Sequence, residues 1–95
     1  MKLLFEWDED KATSNLRRHR VSFEEAKTIF DDPLLATFPD PDHSAAEQRY
    51  ISIGSSTSWR VLVVIHTDRD DAIRFISCRK ATASERRFYE EVKDK

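Results

Sequence analysis

The stretch 79–89, R-K-A-T-A-S-E-R-R-F-Y, gathers residues suited to phosphodiester chemistry. A guanidinium grips phosphate oxygens in pairs, so Arg79, with Lys80 beside it, can offset charge that builds on a phosphate. Cleaving RNA without a metal also needs a group that takes the 2′-hydroxyl proton and one that protonates the leaving oxygen. His66, His19, Glu85 and Tyr89 are the candidates for those two tasks. Each has a plainer reading: His66 as a strand-end histidine, Tyr89 as an amphipathic residue at the core edge, and His19 with Arg17 and Arg18 as compensation of a helix dipole. Arg49 and Arg74 fall within strand patterns, where long cations are at home only if one sheet face is open. With Arg86 they are the candidate RNA-binding cations. His43, in a proline-flanked loop, is read as incidental.

These residues need a scaffold, and the chain supplies its signals in order. Leu3–Trp7 reads as a strand, and Asp8 as the N-cap of a helix with Glu9 and Asp10 in its first turn. Ser22 starts a second helix through S-F-E-E, with Glu25 closing a capping box and Val21 and Ala26 forming a hydrophobic staple. Asp31-Asp32-Pro33 ends it. Leu34–Phe38 is expected to be a strand, 39–46 a loop, and Glu47–Ile53 an alternating strand. The reading then places a turn over 54–58, a central apolar strand over Trp59–Thr67, a turn over 68–71, and a last strand over Ala72–Lys80. Thr82-x-x-Glu85 is a capping box that opens a final helix, Ala83 to about Val92, with Phe88 and Val92 facing the core. The order predicts an α+β fold, one domain over 1–95: a mostly antiparallel sheet with an amino-terminal helix pair and a carboxyl-terminal helix packed on one face.

Composition narrows the function. Gly54 is the one glycine in 95 residues, which excludes a P-loop and a dinucleotide-binding turn. One cysteine, Cys78, excludes an internal disulfide and a multi-cysteine zinc site, and is read as a small buried hydrophobe. No secretory signal pattern and no apolar run of membrane-spanning length is present, so a soluble cytoplasmic protein is expected, with no cofactor and no metal. The net charge of −2 conceals an asymmetry. Residues 1–50 carry a net of −4 and residues 51–95 a net of +2, with four cations against one carboxylate in 79–87. Asp68, Asp70 and Asp71 admit a metal-nuclease reading, but acidic residues are common in hairpin turns for local reasons.

F-E-W-D at 5–8, N-L-R-R-H-R-V-S-F-E-E-A at 15–26, F-D-D-P at 30–33, E-Q-R at 47–49 and I-S-C-R-K-A-T-A-S-E-R-R-F-Y at 76–89 closely resemble the BrnT family, toxins of a type II toxin–antitoxin system. The resemblance implies a RelE-like ribonuclease fold and a metal-independent endoribonuclease that arrests growth by cutting RNA. It also implies a BrnA-type antitoxin with a ribbon-helix-helix DNA-binding domain, and a dimer or heterotetramer in complex. Among the cations it raises Arg79 and Lys80, together with Tyr89. The rival expectation is a degenerate toxin that only scaffolds an antitoxin or binds nucleic acid. Two positions depart from the family pattern. Arg20 stands where a glycine is usual, in a turn that suits a left-handed backbone, and Cys78 replaces alanine in S-A-R-K.

Overall fold

The computed structural model describes residues 3–43 and 47–94. Five strands form one sheet: β1 (Leu4–Glu6), β2 (Ala36–Asp40), β3 (Arg49–Ser55), β4 (Val61–Arg69) and β5 (Ala72–Lys80), in the order β1-β5-β4-β3-β2. Helices α1 (Glu9–His19) and α2 (Phe23–Lys27) follow β1, and α3 (Ala83–Lys93) follows β5. The α+β class and the central place of β4 agree with the sequence. All neighbours pair antiparallel except β1, which runs parallel to β5.

The helices occupy both faces of the sheet rather than one. Leu62, Val64, Phe75 and Cys78 pack with Val21, Phe23, Ala26 and Ile29 of the amino-terminal helical segment. Phe5, Phe23, Phe30, Phe75 and Trp7 add tilted, stacked and edge contacts at 5.3–5.8 Å. On the other face Val63 and Ile53 pack with Tyr89 of α3. Alternation along a strand sends Val63 and Val64 to opposite layers, and the apolar run Val61–Ile65 of the central strand serves both.

Local signals are honoured with five shifts. Asp8 caps α1 through its carboxylate, which accepts from Asp10 N at 2.8 Å. Ser22 caps α2, but α2 tightens into a 3-10 turn at Thr28–Asp31 instead of continuing as α-helix. The second strand starts two residues later than expected and takes in Pro39, which an edge strand tolerates. The expected 39–46 loop contains a 3-10 turn at Pro41–His43, and its last three positions lie outside the described residues. Gly54 is inside β3, not in a turn. A Cβ there would come within 3.1 Å of Ile29 Cβ and 3.2 Å of Leu35 Cδ1, so the glycine lets the 3-10 turn sit close on the strand. The fourth strand begins at Val61, leaving Trp59 in the turn.

Among the described residues the β5 edge has no strand partner beyond Arg74, and a side chain takes that role. Asn15, buried on α1, donates Nδ2 to Cys78 O at 2.9 Å and to Val21 O at 3.0 Å. Its Oδ1 accepts from Cys78 N at 3.0 Å. One amide thereby satisfies the strand edge and fixes α1 and the α1–α2 turn against it. Arg20 in that turn adopts φ 60, ψ 30, with its N–H bonded to Leu16 O. The left-handed turn is retained without the glycine.

Candidate RNA-binding face and its cations

Register places the cations. On the face that carries α3, one cross-strand row runs Glu6, Arg74, Thr67, Arg49, Asp40; the next includes Ser77, Ile65, Ile51 and Phe38; the last has Arg79, Val63, Ile53 and Ala36. The strand pairing thus brings Arg49 of β3 and Arg74 and Arg79 of β5 onto one surface, with α3 over the Val63–Ile53 end. Phe38 and Phe88 meet there at 5.7 Å and remain 40% and 39% exposed. Cations beside half-open aromatics on a sheet suit a single-stranded nucleic acid, whose bases stack and whose phosphates pair.

Arg79 is built into this face. Its Nη1 and Nη2 donate to Glu85 Oε1 and Oε2 at 2.7 and 2.9 Å, and Glu85 Oε1 also accepts from Thr82 N at 2.8 Å. The capping box of α3 and the ion pair are therefore one unit, and the short link between β5 and α3 brings them together. Hydrogen bonds from Arg79 hold the Glu85 carboxyl down at about 2, with the Thr82 N–H contributing and burial opposing. Glu85 is ionised and doubly engaged, which suits an orienting role better than proton donation.

Other nominated residues are placed apart from that pair. Lys80 pairs with Leu62 and so projects on the α1/α2 side, exposed at the strand end, not beside Arg79. Tyr89 is buried and donates its hydroxyl to Asp32 Oδ2 at 2.5 Å. Burial, then the Asp32 carboxylate, pushes its phenol up to about 12. Tyr89, and not Phe88 or Val92, is the core residue of α3; those two are more than a third exposed. Arg86 is exposed on α3. Arg74 lies 3.7 Å from Glu6.

His66 is buried on the opposite layer, at the strand pairing with Tyr50 and not at an open end. Its Nε2 is 2.8 Å from Ser52 Oγ, and Ser52 Oγ is 2.8 Å from Thr37 Oγ1. Its Nδ1 comes within 3.3 Å of Asp68 Oδ1 but off the hydrogen-bonding direction. Burial lowers the His66 pKa against the pull of Asp68, so the imidazole is neutral at neutral pH. The resulting Asp68–His66–Ser52 arrangement resembles a nucleophile triad in order, yet Ser52 is fully buried, so no substrate reaches its hydroxyl. Sequence order hid this chain, because its members become neighbours only through strand register.

His19 sits in a groove of about 720 Å³ between α1 and the open part of β5, with Lys11, Arg17, Arg18, Ile76 and Ser77. Ser77 also belongs to the α3-side rows, so this groove adjoins the cationic face across the β5 edge. A β-bulge in the β4–β5 pairing falls at this level. Among the described residues no three His, Cys, Asp or Glu side chains converge as metal ligands, Asp68, Asp70 and Asp71 included. No described helix is long and apolar enough to cross a membrane.

Comparison with known proteins agrees with this architecture. No curated protein sequence gives a significant match. Among solved structures the chain is similar to the ribonuclease toxin BrnT of Brucella abortus, known from a crystal structure at 1.1 Å. The TM-score is 0.66 at 24% identity, covering 85% of this chain and 99% of that one. That likeness concerns the fold. The family model described as "Ribonuclease toxin, BrnT, of type II toxin-antitoxin system" matches residues 7–85. The matched span takes in α1, the whole sheet beyond β1 and the Arg79–Glu85 pair. The chain therefore belongs to the BrnT family of ribonuclease toxins of type II toxin–antitoxin systems.

Proposed function

We propose that this chain is a metal-independent endoribonuclease of the cytoplasm that cuts RNA across its α3-side sheet face and thereby inhibits growth. A BrnA-type ribbon-helix-helix antitoxin neutralises it in a dimeric or heterotetrameric complex. The observation that carries the site assignment is the Arg79–Glu85 pair: a bidentate, half-exposed guanidinium oriented by an ionised carboxylate and set on a sheet face with Arg49 and Arg74.

In this reading RNA lies over Ile65 and Ser77, with bases against Phe38 and Phe88 and phosphates toward Arg49, Arg74 and Arg86. Arg79 meets the phosphate that gains charge as the 2′-oxygen attacks, and Glu85 keeps the guanidinium in place as a positioning residue. His19, at the adjoining groove, is the nominated imidazole left without an internal hydrogen bond among the described residues, and it is assigned the proton transfer. Lys80 adds positive potential at the strand end. Tyr89 and His66 act by holding α3 and the sheet in register.

Purified chain incubated with single-stranded RNA in EDTA tests the reading. Cleavage is expected in the wild type, with a loss of at least about 100-fold in Arg79→Ala, the order found when a charge-stabilising donor is removed. Activity that disappears in EDTA and returns with a divalent ion would refute metal independence. A second reading, a toxin that binds its partners without cutting RNA, is favoured by the internal engagement of Glu85, His66 and Tyr89. RNA bound but intact in the same assay would establish it.

A further inference from the structure

The β3–β4 hairpin ends in an aromatic that neither packing nor backbone preference explains. Trp59 is 91% exposed. It also holds φ 63, a left-handed conformation that any side chain with a Cβ adopts at a cost and that hairpin loops of this kind usually give to glycine. The loop is not slack. Ser56 N donates to Arg60 O at 2.8 Å, and Trp59 N to Ser56 O at 3.0 Å. Thr57 N donates to Thr28 Oγ1 at 3.0 Å. Ser56 Oγ donates to Glu25 at 2.7 Å, and Arg60 closes on the same carboxylate through Nε at 2.9 Å. The backbone that presents the indole is thus fixed, which lowers the part of the ordering cost of docking that the loop would carry.

Beside it runs a groove of about 390 Å³ whose apolar wall includes Leu34, Val61 and Tyr89. Its charged lining is Asp31, Asp32 and Glu90 against Lys93. Burial opposes the charge on Asp32, but the Ser55 N–H, the Tyr89 hydroxyl and the Leu34 N–H outweigh it and keep the carboxyl below its ordinary value. An excess of carboxylate repels a phosphodiester and attracts lysine or arginine. The same groove therefore disfavours RNA and favours a polypeptide.

We propose that Trp59 and this groove form the docking site for a cationic segment of the protein antitoxin, with the indole as its anchor. Aromatic anchors in preorganised positions dominate such interfaces. The proposal rests on the reading that a type II toxin has a protein antitoxin, and it places that contact away from Arg79. Docking here leaves the cations of the RNA face uncovered, so inhibition would come from the rest of the partner reaching that face.

The test measures affinity of the full chain, wild type, Trp59→Gly and Glu90→Lys, for the purified antitoxin encoded with it, and for an oligouridylate as the RNA probe. Each variant is expected to bind the antitoxin at least ten-fold more weakly, to bind oligouridylate as the wild type does, and to cleave RNA at the wild-type rate. Trp59→Gly should also melt at a higher temperature, since glycine relieves the left-handed strain. Unchanged antitoxin affinity in Trp59→Gly would overturn the proposal. So would loss of oligouridylate binding in that variant, which would assign the indole to base stacking. A wild-type chain that binds no antitoxin would also overturn it, while RNA cleavage in EDTA would still report on the ribonuclease reading by itself.

Discussion

Replacing Glu85 by glutamine separates the charge of the Arg79–Glu85 pair from the helix cap it also serves. Glutamine can still accept the Thr82 N–H, so the capping box survives. The ion pair does not. Moving the carboxyl from 4.5 to about 2 corresponds to ~3 kcal/mol at ~1.4 kcal/mol per pH unit. The side chains of Arg79 and Glu85 are 39% and 26% exposed, and water screens the pair, so about 1 kcal/mol is the expected loss. With a urea slope near ~1 kcal/mol per molar, the midpoint at pH 7 falls by about 1 M. Because the folded carboxyl is depressed, its stabilisation is complete above pH 4.5 and disappears as pH falls toward 2. The gap between wild type and variant should therefore shrink to roughly half near pH 3. In the RNA assay the freed guanidinium should lower kcat about 10-fold while KM changes little, the pattern of lost positioning. A stability gap that does not narrow with acid, or a kcat equal to wild type, would refute the assignment of Glu85 as the group that holds Arg79 by charge.

Three further outcomes test the scaffold. Asn15→Ala strips partners from Cys78 N–H, Cys78 O and Val21 O, and should cost about 3 kcal/mol in urea unfolding at ~1–3 kcal/mol per buried group, since water can recover part of the exposed edge. Arg20→Gly should stabilise the chain by about 1 kcal/mol, measured by thermal unfolding, because it removes the left-handed cost at φ 60. Tyr89→Phe removes a hydrogen bond to an ionised carboxylate and should destabilise by about 1.5 kcal/mol, with cleavage at saturating RNA unchanged if the phenol is structural.

Signals confined to a few neighbouring residues were readable without the structure. Asp8, Ser22 and Thr82 each cap a helix as their types and spacing indicate, and Val21 and Ala26 are buried in one cluster. Only the Ser22 half of its capping box forms, because the Glu25 carboxylate turns to Arg60 and Ser56 on the β3–β4 hairpin. That diversion depends on a contact across more than thirty positions, which local spacing does not encode. The same limit hid Asn15 on Cys78 and the His66–Ser52–Thr37 chain. Hydrophobicity points Phe88 and Val92 to the core, but α3 covers only one end of the sheet, so the side that meets Val63 is set by Tyr89 and its bond to Asp32. Gly54 and Trp59 misled in opposite directions. A glycine marked close packing inside a strand, and a tryptophan occupied a turn position usually given to glycine. The cationic patch at 79–87 was legible. That Arg79 and Lys80 face opposite layers followed from alternation, but which layer was open did not.

The parallel pairing of β1 with β5 has a kinetic consequence. Leu4 meets Ala72, and Asn15 reaches across 63 positions to Cys78, so the first elements made find their partners among the last. Such non-local topology folds slowly, because loop closure comes before any contact that rewards it. A nascent chain lacking β5 has neither the strand that seats α1 nor the hydrogen-bond partners of Asn15. The Arg79–Glu85 pair and the face around it thus come into being only after residues 72–85 have emerged and paired with elements made at the start of the sequence.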